Sequence, residues 1–179
     1  MAEPYAGPKT TAIETLTRRA WLTGGASVAV LAALWWMRDG GSADAGTFEI
    51  VKSDDEWRSL LKPAAYRVLR LHGTEVPFTS PLNKEHRKGT FACAGCELPL
   101  FTSAMKFESG TGWPSFFTSI PGAFETKKDF FLVYPRTEYH CKRCGGHHGH
   151  VFDDGPQPTG QRWCNNGVAL KFIPRDTKT

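Results

Sequence analysis

Polar and apolar positions after residue 50 follow the pattern of two short helices. Residues 53–56 read Ser-Asp-Asp-Glu, and a serine followed three residues later by a glutamate is a capping box. The spacing predicts a helix through Trp57. Pro63 can open a second helix, because proline is tolerated in the first helical turn, and we expect Gly73 to end it. The apolar positions of this second helix are Ala64, Tyr66, Val68 and Leu69.

From Thr90 onward the pattern changes to that of strands. Short segments rich in Phe, Val, Tyr and Thr alternate with Gly and Pro turns, and the predicted strands are residues 90–92, 115–119, 130–134, 137–140, 149–152 and 168–173. Short strands at close spacing indicate an antiparallel β fold. We therefore predict an α+β, mainly β fold, with a small sandwich- or barrel-like antiparallel core and short N-terminal helices.

The first 45 residues have a different character. Arg18 and Arg19 precede an uncharged apolar run of 17 residues, 21–37, and a small-x-small stretch follows at 43–45. This arrangement resembles a twin-arginine export signal, so we expect a signal over residues 1–45, a folded domain over residues 46–179 and a periplasmic location. The alternative is an uncleaved membrane anchor, although the 17 residues would span only about 25 Å of a ~30 Å hydrocarbon core.

Composition and charge narrow the function classes. Of the 179 residues, 40% are hydrophobic and 12% aromatic, which supports a packed core rather than a disordered chain. The net charge is +4, and the Lys and Arg residues are scattered along the chain, so a nucleic-acid partner is not expected. We expect a monomer with no stable membrane span after the signal is removed.

Four of the five cysteines form two C-x-x-C pairs, Cys93 with Cys96 and Cys141 with Cys144. Two such turns can supply four thiolates to one tetrahedral Zn²⁺, and a site closed by four thiolates is structural because it has no open position. Two disulfides are the alternative in an exported protein, and iron in the same four-sulfur site stays open.

Cys164 is the unpaired cysteine. A lone cysteine can be a small buried hydrophobe, but Arg162 lies two residues before it, and a nearby cation increases the thiolate fraction. Asn165 and Asn166 follow and can donate hydrogen bonds. The local pattern therefore favours a reactive thiol.

Three histidines and one tryptophan are further candidates. In a strand, His148 and His150 would share one face and His147 would lie on the other, and acid–base work suits imidazoles that titrate near neutrality. Asp154 belongs to an Asp-Asp-Gly-Pro stretch that reads as a turn. Trp113 lies between Gly and Pro and could form the wall of a small apolar pocket instead of joining the core.

Four motifs in this order, CAGC, SGTGWPSF, RTEYHCKRCGGHHGHVFDDGPQPTG and RWCNNG, resemble the methionine-R-sulfoxide reductases, the B-type peptide methionine sulfoxide reductases, over residues 53–174. The resemblance implies a β fold with structural zinc at the two C-x-x-C pairs. It implies that Cys164 is the nucleophile and that Trp113 contacts the methyl group of the substrate. It also assigns site roles to His147, His150 and Asn166.

The resemblance implies a mechanism, and one departure bears on it. The Cys164 thiolate would attack the sulfoxide sulfur while a histidine protonates the oxygen. His150 is the first candidate for this acid and His147 the second. Arg162 and Asn166 would favour the thiolate and help to hold the oxygen. Cys164 would become a sulfenic acid. The family's resolving cysteine often lies two residues before the tryptophan, where this chain has Thr111. We therefore expect an external, thioredoxin-like reductant to act on Cys164 directly. The Asn165-Asn166-Gly167 stretch also departs from the family pattern, which affects local packing only.

Two rival classes remain at this point. A zinc-ribbon binding module would explain the four paired cysteines, but it leaves Cys164 and the histidine run without a role. A thiol redox shuttle that uses one C-x-x-C pair would keep its turnover after loss of Cys164 and would hold almost no metal.

Overall fold

A computed structural model of the chain describes residues 48–130 and 135–175. The predicted export signal, residues 1–45, lies outside the described residues, as do positions 131–134 of one predicted strand. Within the described ranges, no helix combines the length and apolar character needed to cross a membrane.

In the part of the chain that the structure describes, two α-helices precede the β core. Helix α1 covers Asp54–Leu60, and the predicted capping box at Ser53 is confirmed, with Ser53 and Glu56 bonded to each other's backbone N–H groups. Helix α2 covers Pro63–Leu71 with proline in its first turn. The helix ends at Leu71, and the residue that closes it is His72, one residue before the predicted Gly73, because His72 takes the left-handed conformation.

Within residues 48–130 and 135–175, nine strands form two antiparallel sheets. The three-stranded sheet has the order β2–β1–β9, and the six-stranded sheet has the order β3–β4–β8–β7–β6–β5. The strands are β1 (Gly89–Cys93), β2 (Pro99–Thr102), β3 (Lys106–Phe107), β4 (Ser115–Phe116), β5 (Phe124–Asp129), β6 (Arg136–Cys141), β7 (His147–Phe152), β8 (Arg162–Asn165) and β9 (Leu170–Pro174). The predicted mainly β, antiparallel fold is confirmed.

Individual strand predictions were less accurate. The strand expected at 130–134 is wrong at its start, because β5 ends at Asp129, and the strand expected at 115–119 is only two residues long. β8 was not predicted at all. It has four residues, too few for a period of two to stand out.

Aromatic side chains join the two sheets. The rings of Phe101 and Phe116 stack at 3.9 Å, and Phe91 meets Phe116 edge-on at 5.1 Å. All three are fully buried. Because Phe91 and Phe101 belong to the small sheet and Phe116 to the large one, this cluster fixes the position of β4 and of its neighbour β8. Helices α1 and α2 cover the same core with Trp57 and Leu69.

Candidate active site and four-cysteine centre

Cys164 lies on β8, in the middle of the six-stranded sheet. Its register partners are Ser115 on β4 and His150 on β7. Paired residues in neighbouring strands share a face, so the sheet itself brings Cys164 and His150 together. A Cβ atom on Gly149 would lie 1.9 Å from the carbonyl oxygen of Cys164, and β7 therefore needs glycine at this point.

A small pocket opens at Cys164. Its volume is about 110 Å³, below the ~300 Å³ of sites for drug-sized ligands, so it suits the end of one side chain. The Cys164 side chain is half-buried and is not bonded to another cysteine. The pocket is lined by residues that include Trp113, Arg136, His150, Phe152, Cys164 and Asn166.

Burial and charge act against each other on the Cys164 thiol. Burial raises the pKa of Cys164 above its usual 9.0, and the positive charge of Arg162 and the Thr111 hydroxyl offset only part of that effect. The expectation that Arg162 favours the thiolate is therefore correct in direction, but burial outweighs it. In the resting protein the thiol form prevails at neutral pH, so reaction requires removal of its proton.

Arg162 is held in place by Asp154. Its Nε and Nη2 donate to the two carboxylate oxygens of Asp154, each at 2.8 Å, and its guanidinium lies 4.3 Å from the ring centre of Phe152. A bidentate bond of this kind fixes the orientation of a guanidinium. The reading of Asp154 as only part of a turn therefore missed a partner that fixes Arg162.

The expectation that His148 and His150 share a face is wrong. The pairing of β6 with β7 shifts by one residue after Tyr139, and such a bulge resets the alternation of side chains along a strand. The rings of His147 and His150 consequently lie 5.5 Å apart. His148 is buried on the opposite side, where its Nε2 lies 3.4 Å from the sulfur of Cys93.

His147 and His150 each bond to an acidic side chain that sequence reasoning did not single out. Nε2 of His150 lies 2.7 Å from Asp129, which also binds Arg136 at 2.6 Å. Burial lowers the pKa of His150 more than Asp129 raises it. Nδ1 of His147 lies 2.7 Å from Glu138. Only His150 of the two lines the pocket at Cys164.

Glu75 connects several parts of the site. Its carboxylate accepts hydrogen bonds from the backbone N–H groups of Gly167 at 2.5 Å and Val168 at 3.3 Å. Its backbone N–H donates to Oδ1 of Asn166 at 2.8 Å, and its carbonyl accepts from Nε1 of Trp113 at 2.9 Å. A single glutamate in an irregular stretch carries no recognisable signal, and for this reason Glu75 was missed.

Asn166 is buried and bonded within the protein. Its Oδ1 accepts from the backbone N–H of Glu75, and its Nδ2 donates to the carbonyl of His148 at 2.9 Å. The side chain thus ties the end of β8 to β7 and to the segment before β1, and these bonds hold one wall of the pocket.

The four paired cysteines converge on one point. Their sulfurs all lie within 4.8 Å of one another, and the Cys93–Cys144 and Cys96–Cys141 sulfur distances are 3.8 and 3.5 Å. A disulfide would need about 2.05 Å, whereas four sulfurs at ~2.3 Å around a tetrahedral ion lie roughly 3.8 Å apart. The donor set therefore fits one tetrahedral metal ion and does not fit two disulfides.

The cluster also has a structural position and an outer partner. Cys93 ends β1 and Cys141 ends β6, so the cluster joins the two sheets. Burial lowers the pKa of His148 to about 3, and its neutral ring can donate an N–H to Cys93. Partners of this kind orient the ligands of metal sites. Cys164 is not part of the cluster.

Comparison with known proteins agrees with this geometry. A SelR domain model matches residues 61–174. Peptide methionine sulfoxide reductase MsrB of Leptospira interrogans is 50% identical over 126 residues, which cover 70% of this chain and 96% of that protein. The MsrB of Leifsonia xyli is 51% identical over 136 residues (75% and 98%), and that of Agrobacterium fabrum is 50% identical over 127 residues (70% and 94%). With this identity over nearly the full length of its relatives, the chain belongs to the SelR domain family, that of the B-type peptide methionine sulfoxide reductases.

Proposed function

We propose that this protein reduces methionine (R)-S-oxide in peptides and proteins to methionine, with a thiol as the electron source. The observation that carries the proposal is the position of Cys164. It is a half-buried free thiol in a pocket with Trp113 and His150, while the other four cysteines form a separate cluster. Family membership gives the reaction class, and the pocket supplies one nucleophile and one acid–base group.

The proposed first step transfers oxygen from the substrate to Cys164. The thiolate attacks the sulfoxide sulfur, and the oxygen passes to the cysteine. The methionine sulfur is reduced by two electrons, and Cys164 is oxidised by two electrons to a sulfenic acid. Because the resting thiol is protonated, the same proton can move from Cys164 to the sulfoxide oxygen as the reaction proceeds.

His150 is the proposed carrier of that proton. It is the register partner of Cys164, and its neutral ring can accept the thiol proton and then donate it to the oxygen. Asp129 would stabilise the transient positive charge on the ring. His147 would act through its neighbour, since it lies beside His150 but outside the pocket. Arg162 and Asn166 would favour the thiolate and keep the pocket in shape.

Trp113 is the proposed contact for the substrate methyl group. Its indole nitrogen donates to the backbone of Glu75, which fixes the ring as one wall of the pocket. If the methyl group rests on this wall and the oxygen points to His150, only one arrangement of substituents around the sulfoxide sulfur fits. That is the basis on which we expect selectivity for the R epimer.

Recycling of Cys164 would depend on an external reductant. Thr111 occupies the position where an internal resolving cysteine would lie, and its hydroxyl interacts with the Cys164 sulfur. One thiol of a thioredoxin-like protein would condense with the sulfenic acid and release water. A second thiol would then free Cys164 and leave a disulfide on the donor.

The four-cysteine cluster would hold one structural Zn²⁺. When bound, zinc in a four-thiolate site supplies folding free energy and no open position for substrate. Export by the twin-arginine route, and with it a periplasmic reductant, belongs to the same proposal. It rests on residues 1–45 of the sequence.

The decisive experiment compares two cysteine variants in an epimer-resolved assay with a methionine sulfoxide peptide and dithiothreitol. Cys164→Ser should keep its zinc and its Tm and lose turnover, because only the nucleophile is removed. Cys93→Ser should lose metal and stability, since metal binding and folding are linked. Without reductant, mass spectrometry should find a trapped sulfenic acid on Cys164. A Cys164→Ser protein that still reduces the peptide would refute the proposal.

A further inference from the structure

A second group of metal-ligating side chains lies next to the Cys164 pocket. His72 follows helix α2, Glu138 belongs to β6 and His147 to β7, and their donor atoms lie within 4.8 Å of one another. Oε1 of Glu138 is 2.7 Å from Nδ1 of His147 and 3.8 Å from Nδ1 of His72. Two imidazole nitrogens therefore point at the same carboxylate oxygen from two different elements.

The charge states of these groups suit a cation. Burial opposes ionisation of Glu138, but hydrogen bonds from His140 and His147 and the charge of Lys127 keep its pKa far below the usual range. Burial, and then His147, lower the pKa of His72, so its ring is neutral at pH 7. Neutral imidazole and carboxylate together are a donor set for zinc, nickel, copper and cobalt ions rather than for magnesium or calcium.

The geometry needs only one small adjustment. Ligands at about 2.1 Å from an ion lie roughly 3 to 3.5 Å apart, and the Glu138–His147 pair already approaches this separation. Nδ1 of His72 lies 3.8 Å from Oε1 of Glu138, so it must move in by roughly 0.3 to 0.8 Å. It can do so because 53% of its side chain is exposed. A cavity of about 620 Å³, lined by all three residues, gives an ion access from solvent.

Lys127, Lys128 and Arg136 line the same cavity and oppose an ion there. Arg136 is paired with Asp129, and Lys127 is paired with Glu138 itself. Nζ of Lys127 lies 3.6 Å from Oε2 of Glu138, the oxygen that does not face His72. Its side chain is 57% exposed and can swing into solvent when an ion binds. Lys127 therefore weakens the site without blocking it, which provides a second variant for testing.

We propose that His72, Glu138 and His147 form a surface site for one divalent transition-metal ion, separate from the four-cysteine cluster. The ion would replace the hydrogen bond between His147 and Glu138. It would lie beside His150, which lines both this cavity and the Cys164 pocket. A positive charge there disfavours the protonated ring of His150, so the ion should inhibit reduction. This inhibitory role rests on the proposed function, whereas the binding site does not.

Binding can be tested without turnover. The protein used is the zinc-loaded full chain with Cys164→Ser, which lacks the free thiol. Ni²⁺ serves as the probe because imidazole nitrogen is a suitable ligand for this ion. Calorimetry should give one Ni²⁺ per chain. Adding His72→Ala should weaken binding by at least about tenfold, and adding Lys127→Gln should strengthen it. His86, an exposed histidine elsewhere on the surface, provides the matched control His86→Ala, which should bind as before.

The second arm measures inhibition of the Cys164 protein. Ni²⁺ should inhibit the parent and the His86→Ala variant alike. His72→Ala should keep the basal rate, because His72 does not line the Cys164 pocket, and should resist inhibition. Equal Ni²⁺ affinity with and without His72 would overturn the site. Binding that depends on His72 but leaves the rate unchanged would overturn the inhibitory role alone.

Discussion

Replacing Glu75 with alanine should damage catalysis without touching the reacting groups. The Glu75 carboxylate holds the backbone N–H groups of Gly167 and Val168, two and three residues beyond Asn165 at the end of β8. Its removal leaves both donors without their present acceptor and frees the turn that follows Cys164. The backbone contacts of Glu75 to Asn166 and Trp113 then lose the anchor that keeps this segment in place.

The magnitude follows from the two hydrogen bonds. A hydrogen bond to a charged acceptor contributes about 1.5 to 3 kcal/mol. One of the two is long, and water can reach this half-buried site, so we expect Glu75→Ala to lower the free energy of unfolding by roughly 2 kcal/mol. A displacement near 1 Å in a site can cost about 100-fold in rate, and a loss of 10- to 100-fold in kcat/KM is therefore expected.

Three measurements check this reasoning. Glu75→Gln keeps a neutral acceptor and should lose only about half as much stability. Glu125→Ala removes another glutamate side chain, which is 53% exposed, and it should behave as the parent. Zinc content should be unchanged in all three variants. If Glu75→Ala reduces the sulfoxide peptide at the parental rate, the pocket does not depend on this connection and the reasoning is wrong.

Two further predictions concern the chemistry at Cys164. Burial lowers the pKa of His150 below 6.5, and at a pH below that pKa the thiol and the ring are both protonated. Burial raises the pKa of Cys164 above 9.0, and at a pH above that pKa neither group is protonated. The pH profile of kcat/KM should therefore be bell-shaped. His150→Asn should lower its plateau about 100-fold and remove the acidic limb. An unchanged acidic limb in this variant would count against His150. Thr111→Cys should give an intramolecular disulfide with Cys164 after one turnover without reductant, and non-reduced peptide maps would show it. The parent protein should give no such disulfide. A disulfide in the parent would contradict external recycling.

Features that depend on neighbouring residues were predictable from the sequence. The capping box at Ser53 needs residues within one helical turn, and each C-x-x-C pair sets its own sulfur spacing. For that reason the first helix start and the grouping of the cysteines were confirmed. The isolation of Cys164 from the four-cysteine cluster could also be expected, because the other four form complete pairs.

The face on which each histidine lies was decided elsewhere. A single shift in the pairing of β6 with β7 turns His147 toward His150 and sends His148 to Cys93. Nothing within the histidine run encodes this shift, because it depends on which residue of another strand lies opposite. Strict alternation was therefore the natural expectation and led to the wrong face.

The acidic partners of the site were likewise set by tertiary structure. Glu138 lies 9 residues from His147, Asp129 lies 21 residues from His150, and Glu75 lies 92 residues from Gly167. A carboxylate looks the same in a sequence whether it is solvated or buried against an imidazole. The chain itself specified which sulfur was free to react, whereas only packing, by bringing distant strands and loops together, determined which groups surround that sulfur and how its proton is held.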